Sequence, residues 1–241
     1  MCSIEGIIKK ARRDDRVLPV LKRLEERSKI KYCLSRAGWY FDLDQEVIGC
    51  ADTPNPGADL AHELLHMEMK LRGCRSLYYI VPQGNPGFEL TFRDCLNNEL
   101  QHHKMYPEFI ALGFQADEFY GNEEPRTPNT GCARIDIAIS YFSVIAPGGS
   151  RSVQHRTVDE NRILQEDNGL HRDSLVKIRE AVEDWKSSSD YDIEPTVRRI
   201  WKAIERRPAW FGYLKSDNTQ GFFVGEVFDL LDELHGDVFK S

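Results

Sequence analysis

Apolar residues recur along most of this chain at helical spacing, and the exceptions gather in short blocks set among polar residues. From residue 4 to about 30, Ile7, Ile8, Val17, Leu18, Leu21 and Leu24 interleave with charges, which predicts a helix with one buried side, broken near Asp14 and Asp15. It would serve as a supporting helix across the back of the core. From Ile30 to Cys50 the character changes. Tyr32, Leu34, Trp39, Phe41, Leu43, Val47 and Ile48 predict two or three short strands with a turn near Asp44 and Gln45. The next stretch, Asn55–Gly73, is signalled as helix at both ends. Asn55 suits the N-cap, Pro56 the first helical position where its missing N–H is harmless, and Gly73 a left-handed C-terminal residue. Leu77–Val81 predicts a further strand closed by the Pro82–Gly87 turn cluster. Phe88–Gly113 predicts a second long helix, ended or interrupted around Pro107.

Residues 121–131 carry two prolines and little to bury, so a boundary is expected there, with a core in 1–120 and a mainly helical extension packed on it in 132–241. Within Ala133–Ile145, Ala138, Tyr141, Phe142 and Ile145 recur at three and four, which favours helix over strand. Beyond 152 the chain is polar and helical. Leu175, Ile178, Val182 and Trp185 form one stripe, and Val197, Ile200, Trp201 and Ile204 form another behind Pro195. Val227, Phe228, Leu231 and Leu234 predict a last helix. Such stripes read as core, since a helix in water needs an apolar face to pack. The fold class expected from the pattern is α+β.

Composition narrows the function more than the fold. Apolar content of 41% and charged content of 29% are those of a soluble globular protein, and 241 residues suffice for one good core with a smaller appendage. The opening residues hold no long apolar run, so neither a secretory signal nor a membrane span is expected, and the expected location is cytoplasmic. Six scattered cysteines lack Cys-x-x-Cys spacing and read as reduced small hydrophobes. A net charge of −7 disfavours nucleic acid as a partner, which would need phosphate neutralisation. The basic run around Lys9, Lys10, Arg12, Arg13 and Arg16 reads as the wet side of a helix.

The candidate chemistry lies in the third stretch, as His62-Glu63-Leu64-Leu65-His66. At about 100° per residue, Leu60, Leu64, Met67 and Leu71 fall on one side, while the two histidines lie opposite, one turn apart. Imidazoles so spaced converge on one Zn²⁺, and Glu63 can reach a water bound to it. Zinc lowers the pKa of such a water to about 7, so the carboxylate can take its proton as general base while the oxygen attacks a carbonyl. Small Ala58 and Ala61 lie near the histidines, where a substrate or a second element must approach.

On His62, Glu63 and His66 the chain resembles the zincin metallopeptidases. Met69 and Arg72 stand where the metzincin extension has a glycine and a third histidine, so the third ligand is expected from a later element. That layout is similar to gluzincin-like enzymes and to compact intracellular zincins such as the ImmA/IrrE-like group. The resemblance implies a compact zincin-like core, a small sheet beside the motif helix whose edge strand holds the substrate backbone. The strand near Gln45–Cys50 is the candidate for that role, a purely structural hairpin being the alternative. For the third ligand, Phe92, Cys95, Leu96, Glu99, His102, His103 and Tyr106 share a broad face of the second long helix. His102 is the expected ligand, with Glu99 and His103 as alternatives, and Asn98 one turn before His102 could orient its ring. Oxyanion stabilisation, for which His155, His171 and Tyr141 come into question, stays unassigned. The expectation is a zinc-dependent peptidase acting on a specific protein or peptide substrate. A binding or regulatory module with structural metal, or a hydrolase of a non-peptide amide, are the alternatives.

Overall fold

Two aspartates end the first helical stretch. The computed structural model describes residues 3–42, 45–75, 77–82, 86–120, 134–149, 160–163, 172–204, 209–213 and 227–229. In it, α1 (Ile4–Ala11) gives way to a 3₁₀ turn over Asp15–Val17, and α2 (Leu18–Glu25) follows. Ser3 caps α1 by accepting from the Gly6 N–H at 3.1 Å, and Asp14 caps the turn by accepting from the Arg16 N–H at 3.1 Å. The break expected near Asp14 is thus a capping event. The chain forms two compact units, one from Met1–Cys74, Gln101–Arg126 and Ala146–Arg156, the other from Arg75–Leu100, Thr127–Ile145 and Thr157–Ser241.

The first unit holds a three-stranded mixed sheet of β1 (Lys31–Leu34), β2 (Tyr40–Asp42) and β3 (Val47–Cys50), in the order β1-β3-β2. β3 runs parallel to β1 and antiparallel to β2, with Ile48 opposite both Tyr32 and Phe41. Its central place explains why Ile48, Gly49 and Cys50 are buried while Leu34 and Tyr40 are exposed. It also corrects the expectation that the Gln45–Cys50 strand is a substrate-binding edge. Both of its sides are already paired, and the parallel pairing with β1 is a non-local choice that a local pattern cannot announce.

Helix α3 (Pro56–Leu71) packs against α1, α2, the 3₁₀ turn and β2. Gly73 takes φ +101° as expected, whereas the Asn55 side chain makes no capping hydrogen bond. Leu60, Leu64 and Met67 are buried, but so are Glu63, His66 and Glu68. The helix is enclosed on both sides, so its histidine face is not the open one that the wheel suggests. Glu68 is compensated by Arg23 and Arg72, each at 2.8 Å.

Helix α4 (Pro86–Ala111) runs unbroken through Pro107. A proline inside a helix forfeits one backbone hydrogen bond, yet Pro107 faces outward while Met105 and Phe109 are buried on the packed side. The helix therefore reaches its full expected length. Up to Leu100 it belongs to the second unit, and from Gln101 onward to the first, where a second 3₁₀ turn (Ala116–Glu118) follows it.

In the second unit β4 (Leu77–Pro82), β5 (Ala209–Tyr213) and β6 (Val227–Asp229) form an antiparallel sheet in the order β4-β5-β6. Val227 and Phe228, expected in a helix, are strand residues, Phe228 standing opposite Phe211. Leu231 and Leu234, and the expected boundary at 121–131, lie outside the described residues. Helices α5 (Arg134–Ile145), α6 (Arg172–Ser187) and α7 (Glu194–Ile204) bury the stripes read from the sequence, including Leu175, Ile178, Trp185, Ile200 and Trp201. Phe92 of α4 joins them, 6.0 Å from the Trp201 ring and 6.4 Å from Phe142. The fold is α+β. No helix among the described residues is long and apolar enough to cross a membrane.

Candidate metal centre

Helical periodicity sets His62 and His66 one turn apart on α3, and the C-terminal part of α4 supplies His102. The three rings form a nearly regular triangle, with centroids 4.9 Å apart for His62–His66, 4.9 Å for His62–His102 and 5.2 Å for His66–His102. One ligand nitrogen from each lies within 4.8 Å of the other two. Glu99 and His103 are buried on the same helix but fall outside this group. The Asn98 amide donates to Glu99 at 3.4 Å.

The partner that orients a ring is Gln101. Its Oε1 lies 3.0 Å from His66 Nδ1, and because an amide oxygen only accepts, Nδ1 carries the proton. Nε2 of His66 is left with its lone pair, 3.1 Å from His62 Nε2. A tetrahedral zinc with Zn–N of roughly 2.0–2.1 Å separates its ligand nitrogens by about 3.4 Å, so this pair already stands near the required spacing. Electrostatics favour the same state. Burial pushes the His62 pKa well down, as do His66 and His102, with the main chain at Phe119 acting the other way. Burial and then His102 hold His66 at about 3, against the Gln101 bond. Neutral imidazoles are what a cation needs, since a nitrogen that carries a proton has no lone pair to give a metal. These three residues can hold a metal ion.

Glu63 projects from the same helix into a different environment. It is buried, its carboxyl pushed up to about 8 by desolvation and by Asp59 one turn earlier, against a backbone hydrogen bond at Phe41 of β2. Asp59 is itself raised by burial, and the Thr53 hydroxyl donates to it. Two carboxyls thus lie one turn apart on α3, each with its pKa raised by burial. Of the residues considered for oxyanion stabilisation, Tyr141 donates its hydroxyl to Glu160 at 2.8 Å, and His155 and His171 lie outside the described residues.

An aromatic cover completes the site. The Phe119 ring lies 4.7 Å from His62 and 5.2 Å from His102, and Phe109, Tyr106 and Tyr120 pack around it at 5.0 to 5.1 Å. Neither Phe119 nor Gln101 was among the residues that the sequence singled out. Gln101 adjoins His102, and its polarity on a buried turn was the available signal; Phe119 follows a short 3₁₀ turn and gave none. The site is a three-histidine centre built on two helices. Compared with family models, curated proteins and solved structures, the chain matches none.

Proposed function

We propose that this protein is a zinc-dependent hydrolase, a peptidase acting on a specific protein substrate. The observation that carries the reading is the convergence of His62, His66 and His102, with the His66 ring oriented by Gln101, together with a buried glutamate on the same helix as the first two. Three protein ligands leave a position open, the arrangement of catalytic rather than structural zinc sites. When bound, Zn²⁺ supplies Lewis acidity, acidifying water and polarising a carbonyl. Glu63, ionised when a metal is held, would serve as the general base and would carry the proton on to the leaving amine. The zincin resemblance of His62-Glu63-Leu64-Leu65-His66 supports peptide over other amide substrates.

A second reading, a regulatory module with structural metal, draws on the burial of His66 and His102 and on the Phe119 ring against His102. The zinc-loaded protein and its Glu63→Gln variant separate the two. With fluorescent casein and a cell-extract proteome as substrates, the peptidase reading expects new cleaved termini that the variant does not produce while it keeps its zinc. Metal-loaded protein that yields no cleavage with either, and a variant that retains the biological effect, would leave the structural-metal reading standing.

A further inference from the structure

We propose that Gly113–Tyr120 is a strap latched by Arg16 that closes the three-histidine site, and that releasing Arg16 opens it. Phe119 is only 1% exposed, and it lies over two of the three rings. Substrate or solvent cannot use that side of the cluster while the ring stays there. Beyond the rings packed on Phe119, several polar contacts of the strap converge on one side chain. Arg16 donates to Glu118 through both terminal nitrogens at 3.0 and 3.2 Å, and to the Gly113 carbonyl at 3.3 Å. Its guanidinium also sits 4.0 Å from the centre of the Phe114 ring. Asp14 holds the guanidinium from behind with hydrogen bonds of 2.8 to 3.2 Å. One cation therefore grips the strap at its first two residues and at the residue before Phe119.

The far side is held differently. The Gly149 N–H donates to the Ala116 carbonyl at 2.7 Å, and Gly148 lies against Phe119 and Tyr106. Gly148 has φ +77°, and a Cβ there would stand 2.9 Å from Phe119 Cβ and 3.0 Å from Tyr106. The strap itself has little regular structure, a single 3₁₀ turn capped by Gln115 and Glu118. A segment with few backbone hydrogen bonds of its own, fixed on one side by a charged hub, is the kind that opens locally when that hub is removed. The latch residues are all in the first unit, as are the histidines. The inference rests on the metal-site reading for its meaning, since the strap would govern metal exchange and access to the reacting centre.

The test uses the full chain with Arg16→Gln, Glu118→Gln and Phe119→Leu, each checked for native circular dichroism. Glu118→Gln keeps an acceptor for the Gln115 N–H and so removes the ion pair with the least disturbance. In the metal-free protein, carbethoxylation of His62 and His102 by diethyl pyrocarbonate is followed peptide by peptide. In the zinc-loaded protein, zinc transfer to a chromophoric chelator is timed. Loss of charge-assisted hydrogen bonds predicts both rates rising on the order of tenfold in the latch variants, while carbethoxylation of the free imidazole of added N-acetylhistidine stays constant. Unchanged rates in folded Arg16→Gln and Glu118→Gln would overturn the strap. Faster carbethoxylation with no zinc uptake by the wild type would uphold the strap and overturn the metal reading instead.

Discussion

Gln101 decides which nitrogen of His66 faces the cluster. By accepting from Nδ1 it presents Nε2 as a lone pair, and it does so from the residue next to His102, so one turn of α4 supplies a ligand and orients another. Gln101→Ala should weaken zinc binding by about 10–100-fold, as loss of such a partner commonly does, in a competition titration against a chromophoric chelator. An unchanged affinity would mean that the amide orients nothing. Glu63 and His66 give the metal-free protein an unusual pH dependence. Glu63 titrates at about 8 in the folded chain against an ordinary 4.5, so its contribution is full below pH 4.5 and lost as pH rises through 8. His66, at about 3 against 6.5, contributes fully above 6.5 and loses it as pH falls toward 3. Above pH 6.5 only the glutamate effect of the two remains. Urea midpoints should fall from pH 6.5 to 8, and Glu63→Gln should remove most of that fall. An equal fall in the variant would place its origin elsewhere.

At the scale of elements, legibility followed the range of the interactions. The ends of α3 were marked by Pro56 and Gly73, and the stripe Val197, Ile200, Trp201 and Ile204 is buried as its spacing implied, because capping and periodicity act within a turn or two. Trp201→Ala should cost about 3–5 kcal/mol in urea unfolding, since the indole is 1% exposed and packs on Phe92. A loss below about 1 kcal/mol would mean that α7 carries no core. What the local pattern missed was settled at a distance. Val227 and Phe228 became strand by pairing with β5, a short apolar run being compatible with either state. β3 became central by pairing with β1, and α4 continues past Pro107 with Met105 and Phe109 buried on either side of it in sequence. The candidate site divides along the same line. His62, Glu63 and His66 were legible as a spacing within one helix, whereas choosing His102 from a face that also offered Glu99 and His103 required the approach of two helices. Phe119 was invisible because nothing in its neighbourhood on the chain specifies what it covers.

For the whole molecule, the two compact units carry different kinds of order. The first gathers the histidines, the paired carboxyls and the strap, while the second is made of amphipathic helices around Trp185 and Trp201 and a small antiparallel sheet. Among the described residues, the three-histidine cluster thus lies wholly in the first unit. The account turns on whether the triangle of imidazoles takes a metal, and metal analysis of the purified chain by mass spectrometry addresses that directly. The wild type, dialysed after zinc loading, should hold about one zinc per chain, His62→Ala, His66→Ala and His102→Ala should lose it, and Glu99→Gln and His103→Ala should keep it. A folded wild type without stoichiometric metal, or a His102→Ala variant that binds it as tightly, would contradict the account.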